Sequence, residues 1–144
     1  MPQRLFSPVN GTRVWFGMAD YAVVSPDQAT TLYLPYVGEP PHGDSQHRIH
    51  TEDWSLPGYA WGDGLAWSPC SRYVALDWAP ERNAPVRKIL VVDLEDRQCL
   101  LLTENGRFNK LVWPILSLTS GAGTELRERE LQLDPTSGWS TSAA

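Results

Sequence analysis

Short apolar runs alternate with polar turn formers along most of this chain, and several of the runs share a corner. LFSPVNGTRVWF (5–16), VVSPDQATTLYL (23–34) and LAWSPCSRYVAL (65–76) each have an apolar entry, Ser-Pro, a few turn-forming residues and an alternating apolar exit. A degenerate fourth copy, LVWPILSLTS, keeps Trp113-Pro114 but has no serine before the proline. Proline at the second turn position pre-sets φ, and the polar residues behind it tolerate a tight reversal. The alternation that follows returns the chain as a strand. The pattern therefore predicts hairpin corners. Pro26 and Pro69 are 43 residues apart, and Pro69 and Pro114 are 45 apart. VVDLEDRQ and LQLDPTSGW each end a strand-like run in Asp before a turn, and Asp93 and Asp134 are 41 residues apart.

Periods of about 40 to 45 residues are those of propeller blades, each a four-stranded antiparallel sheet. The middle unit predicts strands near 64–68, 72–78, 87–94 and 97–103. A first unit would use 21–25, 30–37 and 47–51, and a third 107–113, 115–119 and 125–133. KILVVDL is apolar on both parities, as expected of a strand covered on both faces. Thr124 could cap a short helix over TELRERELQL, but the LDPTSGW turn behind it favours a strand. Twelve prolines spread from Pro2 to Pro135 leave few windows for an uninterrupted helix. The expected fold is all-β, with antiparallel hairpins or blade-like sheets of period near 43 residues forming an open sheet, a sandwich or a partial propeller. One domain over 1–139 is expected, with 140–144 (STSAA) as a frayed tail.

WSPCSRYVAL…RKILVVDLEDRQCLLLT resembles one blade of the WD-type or Tol-associated β-propellers, whose blades carry a W-S-P-D-G-R turn and a V-D-L-x-T-G turn. Here Cys70 and Ser71 replace the Asp-Gly pair, and Glu95-Asp96 replaces Thr-Gly. The resemblance covers about 45 residues well and implies blade-like antiparallel sheets, without implying an activity. Three and a half such units fall short of the four blades a propeller needs.

Charge narrows the partners. The net charge is −5, and between Glu39 and Asp63 five acids face one base, Arg48. Stretch 81–110 is close to balance, with five acids and six bases. A chain with no basic stripe lacks the phosphate contacts that nucleic-acid affinity rests on, whereas a cationic protein partner is well matched. No apolar run is long enough for a signal peptide or a membrane span, which gives the expectation of a cytoplasmic protein. Cys70 and Cys99 are then expected as free thiols.

Segment 39–64, EPPHGDSQHRIHTEDWSLPGYAWGDG, breaks the strand pattern with Pro, Gly and Asp and holds all three histidines. Its sharpest chemical reading is a metal site from His42, His47 and His50 with Asp44, Glu52 or Asp53. No pair has the i, i+4 spacing of a zincin, and no Cys pair is near, so solvated loop histidines are the plainer reading. Cys70 lacks a nucleophile signature, Ser68 lacks the Gly-x-Ser-x-Gly elbow, and SGAGTE (120–125) lacks the lysine of a phosphate loop. Neither catalytic residues nor a cofactor is expected.

The same segment suits a protein interface, since buried anchors are enriched in aromatic residues and acidic rims speed encounter. The expected contact residues are Asp44, Glu52, Asp53, Trp54, Tyr59, Trp61 and Asp63, with Trp67 and Trp78 assigned to the core. The resulting expectation is a non-enzymatic protein-binding module, most concretely a bacterial immunity protein that occludes a cationic toxin, by analogy alone. A structural or assembly subunit, homodimerising through open sheet edges, is the alternative, and a metal-dependent hydrolase using the 42–53 loop is the third.

Overall fold

The computed structural model describes residues 2–39, 44–82, 86–104, 106–120 and 126–141. Among these residues the chain is all-β, with fourteen strands and no helix. The strands are β1 (Gln3–Phe6), β2 (Arg13–Val14), β3 (Tyr21–Val24), β4 (Thr31–Leu34), β5 (Tyr36–Gly38), β6 (Gln46–His47) and β7 (Tyr59–Trp67). They continue as β8 (Tyr73–Ala79), β9 (Lys88–Asp93), β10 (Gln98–Leu101), β11 (Arg107–Val112), β12 (Ile115–Ser120), β13 (Arg127–Gln132) and β14 (Trp139–Ser140).

They form three open sheets in three layers. The central sheet runs β14-β10-β9-β8-β7-β6-β5, with β2 pairing to β7. One outer sheet is β1-β3-β4 and the other β11-β12-β13. The side-chain alternation of strands explains the layering. Leu65, Trp67, Val74, Leu76, Trp78, Leu90 and Val92 point to one face and pack with Val23, Leu32 and Leu34 of the first outer sheet. Ala66, Tyr73, Ala75, Ile89, Val91 and Leu100 point to the other face and meet Phe108, Leu111, Leu116 and Leu118. The double-sided apolar pattern of KILVVDL is thus used on both faces, and Trp67 and Trp78 are core residues.

Two of the Ser-Pro corners are the same turn. At Ser25-Pro26-Asp27-Gln28, Gln28 N–H donates to the Ser25 carbonyl (2.9 Å) and Ser25 N–H to the Thr30 carbonyl (2.8 Å). At Ser68-Pro69-Cys70-Ser71, Ser71 N–H donates to the Ser68 carbonyl and Ser68 N–H to the Tyr73 carbonyl, each at 2.8 Å. Both turns close on a left-handed residue, Gln28 at φ 63° and Ser71 at φ 66°. Trp113-Pro114 makes the β11–β12 corner with a cis peptide bond.

Four details depart from the sequence expectation. Ser7-Pro8 is not a hairpin corner: β1 pairs with β3 in parallel, and the chain crosses to the central sheet instead of turning back. Of residues 47–51, His50 bridges β4 at Tyr33, but His47 lies in β6, which with β5 extends the central sheet beside β7. Segment 39–64 is not one loop, since β6 and the first half of β7 lie in it. Ser140 pairs with Cys99 and so is not frayed, while 142–144 lie outside the described residues. Among the described residues no helix is long and apolar enough to cross a membrane.

Candidate functional site

The corners converge at one end of the molecule, where each sheet contributes at least one. Asp27 N–H donates to Ser71 Oγ at 3.0 Å, joining the β3–β4 corner to the β7–β8 corner. Trp113 N–H donates to Ser68 Oγ at 3.0 Å, joining the β11–β12 corner to it from the other side. The β9–β10 turn reaches the same end through Arg72, whose Nε and Nη2 hold the two Asp93 oxygens at 2.9 Å each. A fifth element, the tight turn at 51–54, closes with Thr51 N–H on the Trp54 carbonyl (2.7 Å) and raises Glu52 and Asp53 at its tip.

Between the β3–β4, β7–β8 and β9–β10 corners and the 51–54 turn lies a cleft of about 480 Å³ lined by four carboxylates, Asp27, Glu52, Asp53 and Glu95, against two guanidiniums, Arg72 and Arg97. Trp54, Cys70 and Ser71 are also part of its wall. Asp27 accepts from the Ser25 hydroxyl (2.6 Å) and Ala29 N–H (2.9 Å), and these bonds to its charged form hold its carboxyl below the ordinary range. Burial alone would raise Asp93, but the Arg72 fork and the N–H groups of Asp96 and Glu95 outweigh it and keep the carboxylate charged. The same pairing raises Arg72. Arg97 Nη2 reaches Asp53 Oδ2 at 2.6 Å across the cleft mouth, where both groups are well exposed. Cys70 and Cys99 are free thiols. Cys70 is exposed at the corner, while burial pushes the Cys99 thiol up to about 11.

The expected contact residues separate into three places. Glu52, Asp53 and half-buried Trp54 share the cleft. Asp44 and Asp63 lie elsewhere, in a network of this chain's own arginines. A register shift in β7 between Ala60 and Leu65 turns Asp63 toward Arg13 Nη2 (3.2 Å), Arg107 Nη1 (3.2 Å) and Arg87 Nη1 (3.9 Å). Arg87 also pairs with Asp44. Tyr59 stands at the opposite end of β7 from the corner, with the Arg48 guanidinium 5.3 Å from its ring centroid. Trp61 is only 2 % exposed: its Nε1–H donates to the Val86 carbonyl and Arg87 covers its ring. It is a packing residue, which removes it from the surface available to a partner.

The histidines are occupied by the fold. His47 is fully buried in β6. Its Nδ1 bonds the Leu34 carbonyl (3.0 Å) and its Nε2 bonds the Ser45 hydroxyl (2.8 Å), which also donates to the Gly17 carbonyl (3.0 Å). His50 bonds the Thr51 carbonyl at 2.8 Å and stacks on Tyr33 at 5.2 Å. His42 lies outside the described residues. Among the described residues no three His, Cys, Asp or Glu side chains gather as metal ligands.

Sequence reasoning missed Asp27, Arg72, Glu95 and Arg97 as cleft residues, although all four sit within or beside the corners that the repeat marks. It also missed Trp15, 64 % exposed beneath the Arg107 guanidinium, which no local pattern flags. No family model, curated protein or solved structure matches this chain.

Proposed function

We propose that this chain is a non-enzymatic protein-binding module, most concretely a bacterial immunity protein that uses the corner cleft to occlude a cognate cationic toxin. The supporting observation is the convergence of four carboxylates and an accessible indole on one cleft holding only two guanidiniums. A lysine or arginine from the partner would exchange with Arg97 on Asp53. That exchange is cheap, because an exposed ion pair contributes only about 0–1 kcal/mol. Glu52 on the rim would steer a positive surface inward, Glu95 and Asp96 sharing the single Arg72 guanidinium would add to it (3.6 and 3.0 Å), and Trp54 would supply the apolar contact. Asp63 and Asp44 take no part, being matched by Arg13, Arg87 and Arg107.

The test is recovery of the partner from the chain's own cells after cross-linking, with wild type beside Glu52→Lys/Asp53→Lys/Trp54→Ala. A stoichiometric cationic protein that poisons growth alone, is neutralised by wild type and escapes the triple variant is the expected result. No stoichiometric partner, or one held equally by both forms, overturns the reading. The equivalence of the corners at 25–28 and 68–71 favours, as a second reading, an assembly subunit built from blade-like units.

A further inference from the structure

The three sheets are open, and their edges are unequal. The outer edge of β4 is bridged by His50, whose N–H and carbonyl pair with those of Tyr33. β5 is three residues long and has its Val37 carbonyl taken by Arg82 Nη2 at 2.6 Å. β14 is two residues long. β13 is longer, but its Arg127 and Arg129 share one face and Glu128 and Glu130 the other. Leu133 N–H bonds the Pro114 carbonyl, so the odd positions bond β12 and the even positions face outward. An antiparallel copy can only oppose residues of equal parity, which sets Arg against Arg and Glu against Glu. Charge thus guards that edge against its own image.

β1 differs. Gln3 N–H donates to the Asp20 carbonyl and Ser7 N–H to the Val24 carbonyl, so residues 3, 5 and 7 face β3 and the backbone groups of Arg4 and Phe6 face outward. Among the described residues nothing pairs with that outer edge. Phe6 is 59 % exposed and Val9 75 %, and the Arg4 guanidinium lies 5.6 Å from the Phe6 ring on the solvent side. Leu5, on the inner face, borders the core between the outer and central sheets.

We infer that β1 is a self-association edge whose occupant is β1 of a second copy, running antiparallel about a two-fold axis through Leu5. Parity permits this register. Arg4 opposes Phe6 of the copy and Phe6 opposes its Arg4, forming two hydrogen-bonded pairs with four N–H···O bonds. The guanidinium that lies over Phe6 within one chain gains a second ring across the axis. Leu5 meets Leu5 at the close, non-hydrogen-bonded position and extends the apolar layer. Pro2 and Pro8, which have no N–H, face each other at both ends and terminate the pairing. One short strand pair lies below the size of a standard stable interface, so the dissociation constant is on the order of tens of micromolar or weaker.

Sedimentation equilibrium across a wide concentration range tests this. Wild type should pass from monomer toward dimer. Arg4→Pro removes the outward N–H and the guanidinium over Phe6 but none of the bonds to β3, so it should remain monomeric with little change in the urea midpoint. Phe6→Arg, which sets Arg against Arg, should weaken association at least tenfold. Arg4→Glu together with Phe6→Arg should restore it, because unlike charges then meet. A wild type that stays monomeric throughout overturns the proposal, as does a dimer that persists in Phe6→Arg or is not recovered in the double variant.

Discussion

Arg13 Nη2 lies 2.5 Å from Asp77 Oδ2, with both side chains less than a tenth exposed. The same guanidinium donates through Nε to the Asp63 carbonyl and through Nη1 to the Phe108 carbonyl, and lies 4.3 Å from the Phe108 ring centroid. One side chain from two-residue β2 therefore ties β7, β8 and β11 together across two layers. Burial pushes the Asp77 carboxyl up, and Arg13 works against that rise. Arg13→Ala should cost about 3–5 kcal/mol in urea unfolding, because it strands a buried carboxylate. Arg13→Met with Asp77→Leu should recover much of the loss, since a buried pair replaced by apolar groups of similar volume is often close to neutral.

His47 predicts a pH dependence. The unfolded imidazole titrates near 6.5, and burial lowers the folded value. Just below 6.5 the unfolded chain therefore binds more protons than the folded one, so stability is full above that pH and falls as pH drops through the window. Urea midpoints at about pH 7.5 and 5.5 should show the loss in wild type and a flatter response in His47→Gln. Asp27 and Asp93, both lowered, add a second loss as pH falls below 3.8.

The paired corners allow a controlled comparison of backbone strain. Gln28 and Ser71 occupy the same left-handed position, but only Ser71 uses its side chain to join two sheets. Gln28→Gly should raise the melting temperature, with relief of up to about 1 kcal/mol. Ser71→Gly gains the same relief but loses the acceptor for Asp27 N–H, and should be neutral or destabilising.

Gly58 sits at φ +77°, and a Cβ there would come within 2.4 Å of the Trp78 ring. Trp78 Nε1–H is held by the Pro57 carbonyl at 2.9 Å, so the indole has no easy retreat. Gly58→Ala should cost roughly 2 kcal/mol or more from backbone strain and overpacking together, read from the urea midpoint.

The middle of the fold was legible because its strands are patterned on both faces and joined by self-announcing turns. The strands expected over 72–78, 87–94, 107–113 and 115–119 lie close to β8, β9, β11 and β12. The pairing of β1 was not legible, because a Ser-Pro corner looks the same locally whether the chain returns or crosses to another sheet. Trp61 was misplaced for a related reason. Gly62 and Gly64 read as loop punctuation, yet a Cβ on Gly62 would lie 2.1 Å from Ser45 Oγ, so the glycine permits close packing within β7. The ion pairs of Asp63 come from β2, β11 and Arg87 before β9, and no local spacing announces partners so far apart in the chain.

Because the central sheet is apolar on both sides, its order of synthesis matters. When the ribosome has delivered residues as far as Leu101, the first outer sheet can already cover one side, but Ala66, Ala75, Ile89 and Val91 still face water. Only the translation of β11 to β13 shields them. A nascent chain stalled between those points would present a bare, sticky surface to chaperones, and the completed one would not.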